Sequence, residues 1–170
     1  MDKSGDKARK QWTRSLWFVF KNINKLNMFI GEYHYKTDEK SRLSIPAKFR
    51  LELKKQVVIT RGIEKCLVLY SQKNWEKLAT KLAALPISKE KNRDFNRLML
   101  GGAMDVEVDG QGRVVLPDYL RVYAKIKKNV VIVGLYDKLE IWDKEDWEKQ
   151  KSSSEKESKM IAESLSELGV

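Results

Sequence analysis

Apolar and polar positions alternate through "FIGEYHYKTD" (29–38), which predicts a half-buried strand. The polar "DEKS" then predicts a turn and "RLSI" (42–45) a short second strand. Pro46 suits the first position of a short helix, "PAKFRLEL", because its φ is already helical and its missing N–H would find no partner there. The apolar runs "QVVIT" and "KCLVLY" follow, separated by "RGIEK", and predict a hairpin. The order is strand, strand, helix, strand, strand.

The same order returns as "AMDVEV", "RVVL", "PDYLRVYA", "NVVIVG" and "KLEIW". "TDEKSRLSIPAKFR" (37–50) and "VDGQGRVVLPDYLR" (108–121) hold one frame seventy-one positions apart: Asp38/Asp109, Arg42/Arg113, Pro46/Pro117 and Arg50/Arg121. Val57-Val58-Ile59 is answered by Val130-Val131-Ile132, and each copy exits into a helix, through "NWE" at Trp75 and "DWE" at Trp147. Strands this short are unstable alone, so the two copies are expected to complete one core.

Two helices are predicted between the copies. "SQKNWEKLATKLAAL" is capped by Ser71, carries Trp75, Leu78, Ala79, Leu82 and Leu85 on one face, and ends before Pro86. "SKEKNRDFNRLMLGG" stops at Gly101 and Gly102. A last helix from Asp143 would carry Trp147 and then Met160, Ile161, Leu165 and Leu168, across a polar "KSSSEKESK" where it can fray. The expected units are 1–27, an extension; 28–76, the first repeat; 77–102, a helical link; 103–147, the second repeat; and 148–170, a C-terminal helix and tail.

Charge sharpens this outline. The chain of 170 residues has a net charge of +10, which favours an anionic partner. Residues 1–27 contribute +5, residues 28–100 contribute +8 and residues 101–170 contribute −3, so the first copy is the electropositive one. One Cys and one His exclude a Cys/His metal cluster or a disulfide framework and fit a reducing compartment; Cys66 is expected in a buried strand. "LWFVF" (16–20) is too short to span a membrane and lacks a signal-peptide cleavage pattern.

Catalysis finds no footing: phosphate-loop, nucleophile-elbow and metalloprotease motifs are missing, and only His34 would serve as a conventional neutral-pH base. His34 lies in the alternating strand between Tyr33 and Tyr35, where packing or solvent exposure explains it better. Asp143, Glu145 and Asp146 suit a helix N-terminus. No enzyme activity, cofactor or small-molecule substrate is expected.

The Asp-x-x-x-Arg frame has two readings. In one, the aspartate fixes a turn and the arginine merely pairs with it. In the other, the turn also displays cations: Lys36, Lys40 and Arg42 surround the first loop, where they would reach phosphates and base edges with Asp38 orienting them. The second loop keeps Asp109 and Arg113 but has Gly110, Gln111 and Gly112 in place of Glu39, Lys40 and Ser41. On charge, copy one would grip nucleic acid, while copy two completes the fold or packs against a neighbouring subunit.

"MFIGEYHYKTDEKSRLSIPAKFR", "GIEKCLVLYSQKNWE", "GGAMDVEVDGQGRVVLP" and "VIVGLYDKLEIWDKEDWE" resemble, in order and spacing, the MraZ family of bacterial transcriptional regulators. One copy of the frame would be weak evidence, since AbrB-like antitoxins and transition-state regulators share it. The resemblance implies an α+β fold of two AbrB/SpoVT-like ββαββ repeats closing a β-barrel, and a ring-shaped homo-oligomer, an octamer or dodecamer. It implies sequence-specific binding of double-stranded DNA at short direct repeats upstream of the division and cell-wall gene cluster that includes the regulator's own gene. A cytoplasmic, nucleoid-associated location follows.

Recognition would fall to Asp38, Lys40 and Arg42, with Lys36 and Arg50 near phosphates and the second motif at Asp109 and Arg113. Arg50, on a short helix, has an intramolecular pair as its alternative. Gln111 stands where a lysine would help, which puts a direct role for copy two in question. An antitoxin-like or oligomeric interaction protein without operator specificity is the alternative function. Residues 1–27 match nothing in the pattern; they lie upstream of a true start at Met28 or form a basic arm that adds nonspecific DNA affinity.

Overall fold

The computed structural model describes residues 28–166 of the chain. The predicted extension 1–27, and Leu168 of the last helix, lie outside the described residues. The first repeat runs β1 (Phe29–Lys36), β2 (Arg42–Ser44), α1 (Ala47–Leu53), β3 (Gln56–Arg61) and β4 (Leu67–Ser71). Helices α2 (Gln72–Ala83) and α3 (Glu90–Met99) link it to β5 (Met104–Glu107), β6 (Arg113–Val115), α4 (Asp118–Tyr123), β7 (Asn129–Tyr136) and β8 (Lys138–Asp143). Two further helices follow, α5 (Lys144–Lys156) and α6 (Ser158–Leu165).

The repeats are interleaved. One antiparallel sheet has the order β1-β7-β8-β4-β3-β5, and β2 pairs with β6 in a separate ribbon. The first strand of each copy therefore crosses to the third strand of the other: β1 pairs with β7 and β5 with β3. The last strands, β4 and β8, meet in the middle. The hairpins β3–β4 and β7–β8 form within one copy, but β1, β2, β5 and β6 pair only with the other, which is why the frame occurs twice. Edge strands β1 and β5 are not paired with each other, and the ribbon lies against both.

The continuous apolar runs of β3, β4, β7 and β8 have a simple cause: the sheet is covered on both faces. On one face Val57, Ile59, Leu67, Leu69, Val130, Ile132, Leu139 and Ile141 pack against the ribbon and the short helices, through Leu43, Ile45, Phe49, Val114, Leu116 and Leu120. On the other, Cys66, Val68, Tyr70, Val131, Val133 and Trp142 lie beneath Trp75, Leu78 and Trp147. Trp75 and Trp147 thus perform matching tasks, each tilted against an aromatic residue of its own repeat at 5.7 Å.

Two expectations change in detail. Pro46 and Pro117 occupy the N-cap, with extended ψ values of 130° and 138°, rather than the first helical position. Each proline carbonyl instead accepts a bond from an early helical amide, Phe49 N at 2.9 Å and Leu120 N at 3.1 Å. Helix α2 ends at Ala83, two residues short of Leu85, because Ala84 and Leu85 turn back onto Thr80 and Leu82 before Pro86. The last helix breaks at Glu157, inside the polar stretch where fraying is expected, and Met160, Ile161 and Leu165 are exposed.

Candidate nucleic-acid interface

The first loop is built on one carboxylate. Asp38 Oδ1 accepts the amides of Lys40 (2.9 Å) and Arg42 (3.0 Å), and Oδ2 accepts Arg42 Nε at 2.6 Å. Backbone bonds from Ser41 N to Asp38 O and from Asp38 N to Arg42 O close the turn. Closure requires Ser41 at φ 58°, a left-handed conformation that a non-glycine residue adopts at a cost. The Arg42 amide above all, and then its guanidinium, holds the Asp38 carboxyl below the ordinary carboxylate range.

The second loop repeats this geometry with one difference. Asp109 Oδ1 accepts the amides of Gln111 and Arg113, both at 2.9 Å. Oδ2 takes two bonds from Arg113, from Nε at 2.8 Å and from Nη2 at 2.7 Å. This forked ion pair is the chief reason the Asp109 carboxyl is held down at about 2. Gly112, at φ +76°, replaces Ser41, and a Cβ there would collide with the Arg50 side chain beneath it.

Arg42 and Arg113 are therefore not equivalent. Arg42 is anchored at Nε, where both its hydrogen bond and its ion-pair contact with Asp38 lie. Arg113 has committed one of its terminal nitrogens to Asp109. A fork of terminal N–H groups is what reads guanine O6 and N7 in the major groove.

The ribbon holds the loops in a fixed relation. Arg42 pairs with Val115 and Ser44 with Arg113. Ile45 N donates to Gly112 O and Leu116 N to Ser41 O, so each loop is tied to the strand leaving the other. Lys36 and Lys40 are exposed beside the first loop. Arg50 donates from Nε to Ile45 O at 2.9 Å and packs under Gly112, so its alternative, intramolecular role is the one seen.

Charge summed along the chain is not charge in space. Thr37 bonds to the carbonyls of Lys127 and Lys128, which brings these second-copy lysines to the first loop. Val108 N donates to Lys55 O, which places the exposed Lys54 and Lys55 of copy one beside the second loop. Lys127 is engaged by Glu145 at 3.1 Å. Strand exchange is invisible to a segment count; only the β pairing reveals these lysines. Sequence reading also missed Asp118, which draws the Arg121 guanidinium to itself at 2.7 Å and leaves Arg121 Nε buried without the carbonyl bond that Arg50 makes.

His34 is exposed and bonds Glu32 at 3.0 Å. Cys66 is buried as expected, and burial pushes its thiol up to about 12. Asp143 caps α5 by accepting Glu145 N at 3.0 Å. Among the described residues no cluster of three His, Cys, Asp or Glu side chains could hold a metal, and no helix is long and apolar enough to cross a membrane.

The model of the MraZ protein family, antitoxin-like by its description, matches residues 28–98 and again 99–166. A protein of Caldanaerobacter subterraneus subsp. tengcongensis named Transcriptional regulator MraZ is 42% identical over 143 residues, covering 84% of this chain and 100% of its own length. Proteins of the same name from Halothermothrix orenii and Lactobacillus helveticus are each 43% identical, over 143 and 141 residues. They cover 84% and 83% of this chain and 100% and 99% of their own.

Proposed function

The chain belongs to the MraZ family, and from that premise we propose that it is a transcriptional regulator that binds double-stranded DNA in a sequence-specific manner through its first loop. Arg42 carries the proposal: a turn fixed by Asp38 and Ser41 holds its guanidinium at Nε, and the terminal fork is the part that meets a base. Arg42 reads a guanine edge, Lys40 assists, and Lys36 meets phosphate. Asp38 orients the arginine and does not contact DNA. Asp109 and Arg113 brace the second loop, with Arg50 beneath it.

The targets are short direct repeats upstream of a division and cell-wall gene cluster that includes the protein's own gene, read by a cytoplasmic, nucleoid-associated protein. The two repeats act as one barrel-like unit, as their exchanged strands and shared ribbon support. Self-association into a ring brings identical first loops to one rim, where effective concentration turns weak single contacts into useful binding.

Two exposed apolar patches support the ring. Ile30 pairs with Leu135 across β1 and β7, with Leu51 exposed on α1; Ile63 and Met104 are exposed just after β3 and at the start of β5, with Tyr119 and Val122 exposed on α4. A head-to-tail contact between unlike patches generates a closed ring when its rotation closes.

A gel-shift titration on the protein's upstream DNA, intact and with the repeats scrambled, at two salt concentrations, tests the proposal. A shift that needs the repeats and weakens with salt is expected. Equal binding to both DNAs would remove sequence specificity, and no binding to either would leave the interaction-protein alternative.

A further inference from the structure

We propose that the outer face of α2, together with the β7–β8 turn beside it, binds the phosphate backbone of duplex DNA as a second, sequence-independent grip. This rests on the DNA-binding reading above. Lys73, Lys77 and Lys81 lie four residues apart along α2, which stacks them on one face at ~6 Å intervals. Like charges at this spacing repel one another, yet none of the three has an acidic partner among the described residues. A helix that carries this repulsion unrelieved is complementary to a run of negative charge.

The neighbouring turn adds to the face. Asn74 Nδ2 donates to Asp137 O at 2.8 Å and so fixes the β7–β8 turn onto α2. The turn brings Lys138 alongside and presents Tyr136, which is 62% exposed and held at φ 62°. A bulky residue in that conformation is strained, and its hydroxyl is a suitable phosphate donor. Lys73, Lys77, Lys81, Lys138 and Tyr136 line a groove of 490 Å³, which also contains the carboxylates of Glu52 and Asp137.

Lys73 continues into an adjoining groove of 870 Å³ that passes Lys54 and Lys55, with Glu52 and Glu76 among them, and ends at Glu107 and Val108, the base of the second loop. The lysines thus run from beside the loop whose arginine is locked, past Glu52 and Glu76, and become the dominant charge only on the outer face of α2.

The second repeat supplies an internal control. Aligning Trp75 with Trp147 places Glu145, Lys149 and Ser153 of α5 where α2 has Lys73, Lys77 and Lys81. Most α5 charges near these positions are paired: Glu145 with Lys127, Lys149 with Asp146 at 3.2 Å, and Lys144 with Glu148 at 3.6 Å. At the three equivalent positions α5 has one cation, Lys149, and it is ion-paired, whereas α2 has three that pair with no acid among the described residues.

The test is fluorescence anisotropy of the full chain on intact and scrambled upstream duplexes across a salt series. A Lys73→Gln/Lys77→Gln/Lys81→Gln variant is compared with a charge-matched Lys144→Gln/Lys149→Gln/Lys151→Gln variant. The α2 variant should lose roughly tenfold or more on both duplexes alike, and its log K against log salt should become shallower by about 2 to 3, at ~0.9 per phosphate released. The α5 variant should stay near wild type.

An unchanged α2 variant, or an equal loss in both variants, overturns the proposal while wild-type operator binding leaves the DNA reading intact. A wild-type protein that binds neither duplex overturns both. Phosphate-ethylation interference with wild-type protein gives an answer independent of any variant's folding: blocked phosphates beyond the repeat itself support the track, and interference confined to the repeat contradicts it.

Discussion

The two loops of this molecule share an aspartate, an arginine, a turn and a ribbon strand, and differ in what the arginine has left to offer. The ion-pair contact with Asp38 runs through Nε of Arg42, whereas that with Asp109 runs through a terminal nitrogen of Arg113, beside its Nε bond. Ser41 bears a left-handed backbone without glycine, whereas Gly112 has that freedom and lets Arg50 pass beneath it. A duplicated motif can thus divide its labour without losing its signature residues: the first copy keeps donors for a ligand, and the second uses them to hold the fold.

The largest break in this comparison should come at the turn residues. Gly112→Val meets both a left-handed φ and the Arg50 side chain, and should cost about 2 to 4 kcal/mol of stability by denaturant unfolding. Ser41→Gly removes backbone strain and adds chain entropy, so it should shift stability by less than about 1 kcal/mol. Equal losses would mean that the loops are not braced differently.

Binding comes next. Arg42→Ala should cost ~1 to 3 kcal/mol of operator affinity by anisotropy titration if Arg42 reads a base. Arg113→Ala should cost clearly less.

A smaller effect is pH dependence. Both aspartates have folded-state values below their unfolded ones, so each stabilises the fold above the unfolded value and ceases to as pH falls through the folded one. For Asp109 that window runs from about 4 down to about 2. Carboxyl NMR titration should place Asp109 at the low end, and Arg113→Ala should move it up toward the ordinary value. No movement would mean that the guanidinium is not the cause.

The smallest change expected is from Glu145→Gln, which frees Lys127 beside the first loop and should raise affinity for any duplex by less than roughly 1 kcal/mol, since exposed pairs are weak. A loss of affinity would show that Lys127 lies away from the DNA.

Much of the fold was legible because its signals are local. Alternation, the paired Pro46 and Pro117, and the capping Ser71 and Asp143 each act over a few residues, and they placed the elements to within a turn. Pairing across copies was not legible, since β1 with β7 and β3 with β5 depend on contacts far apart in sequence. That gap misled the charge argument, because Lys54 and Lys55 belong to copy one but stand beside loop two. The difference between Arg42 and Arg113 is also silent in sequence: the same letters at the same spacing adopt different bonds. The left-handed Ser41 gave no glycine to announce it.

The central claim, that loop one reads DNA while loop two braces the fold, is tested most directly by two conservative swaps. Arg42→Lys and Arg113→Lys each keep the charge and remove the fork. Their preferences for intact over scrambled upstream repeats should be measured side by side at one salt concentration. The account predicts that Arg42→Lys loses the preference while Arg113→Lys keeps it. Equal loss in both, or loss only in Arg113→Lys, would contradict it.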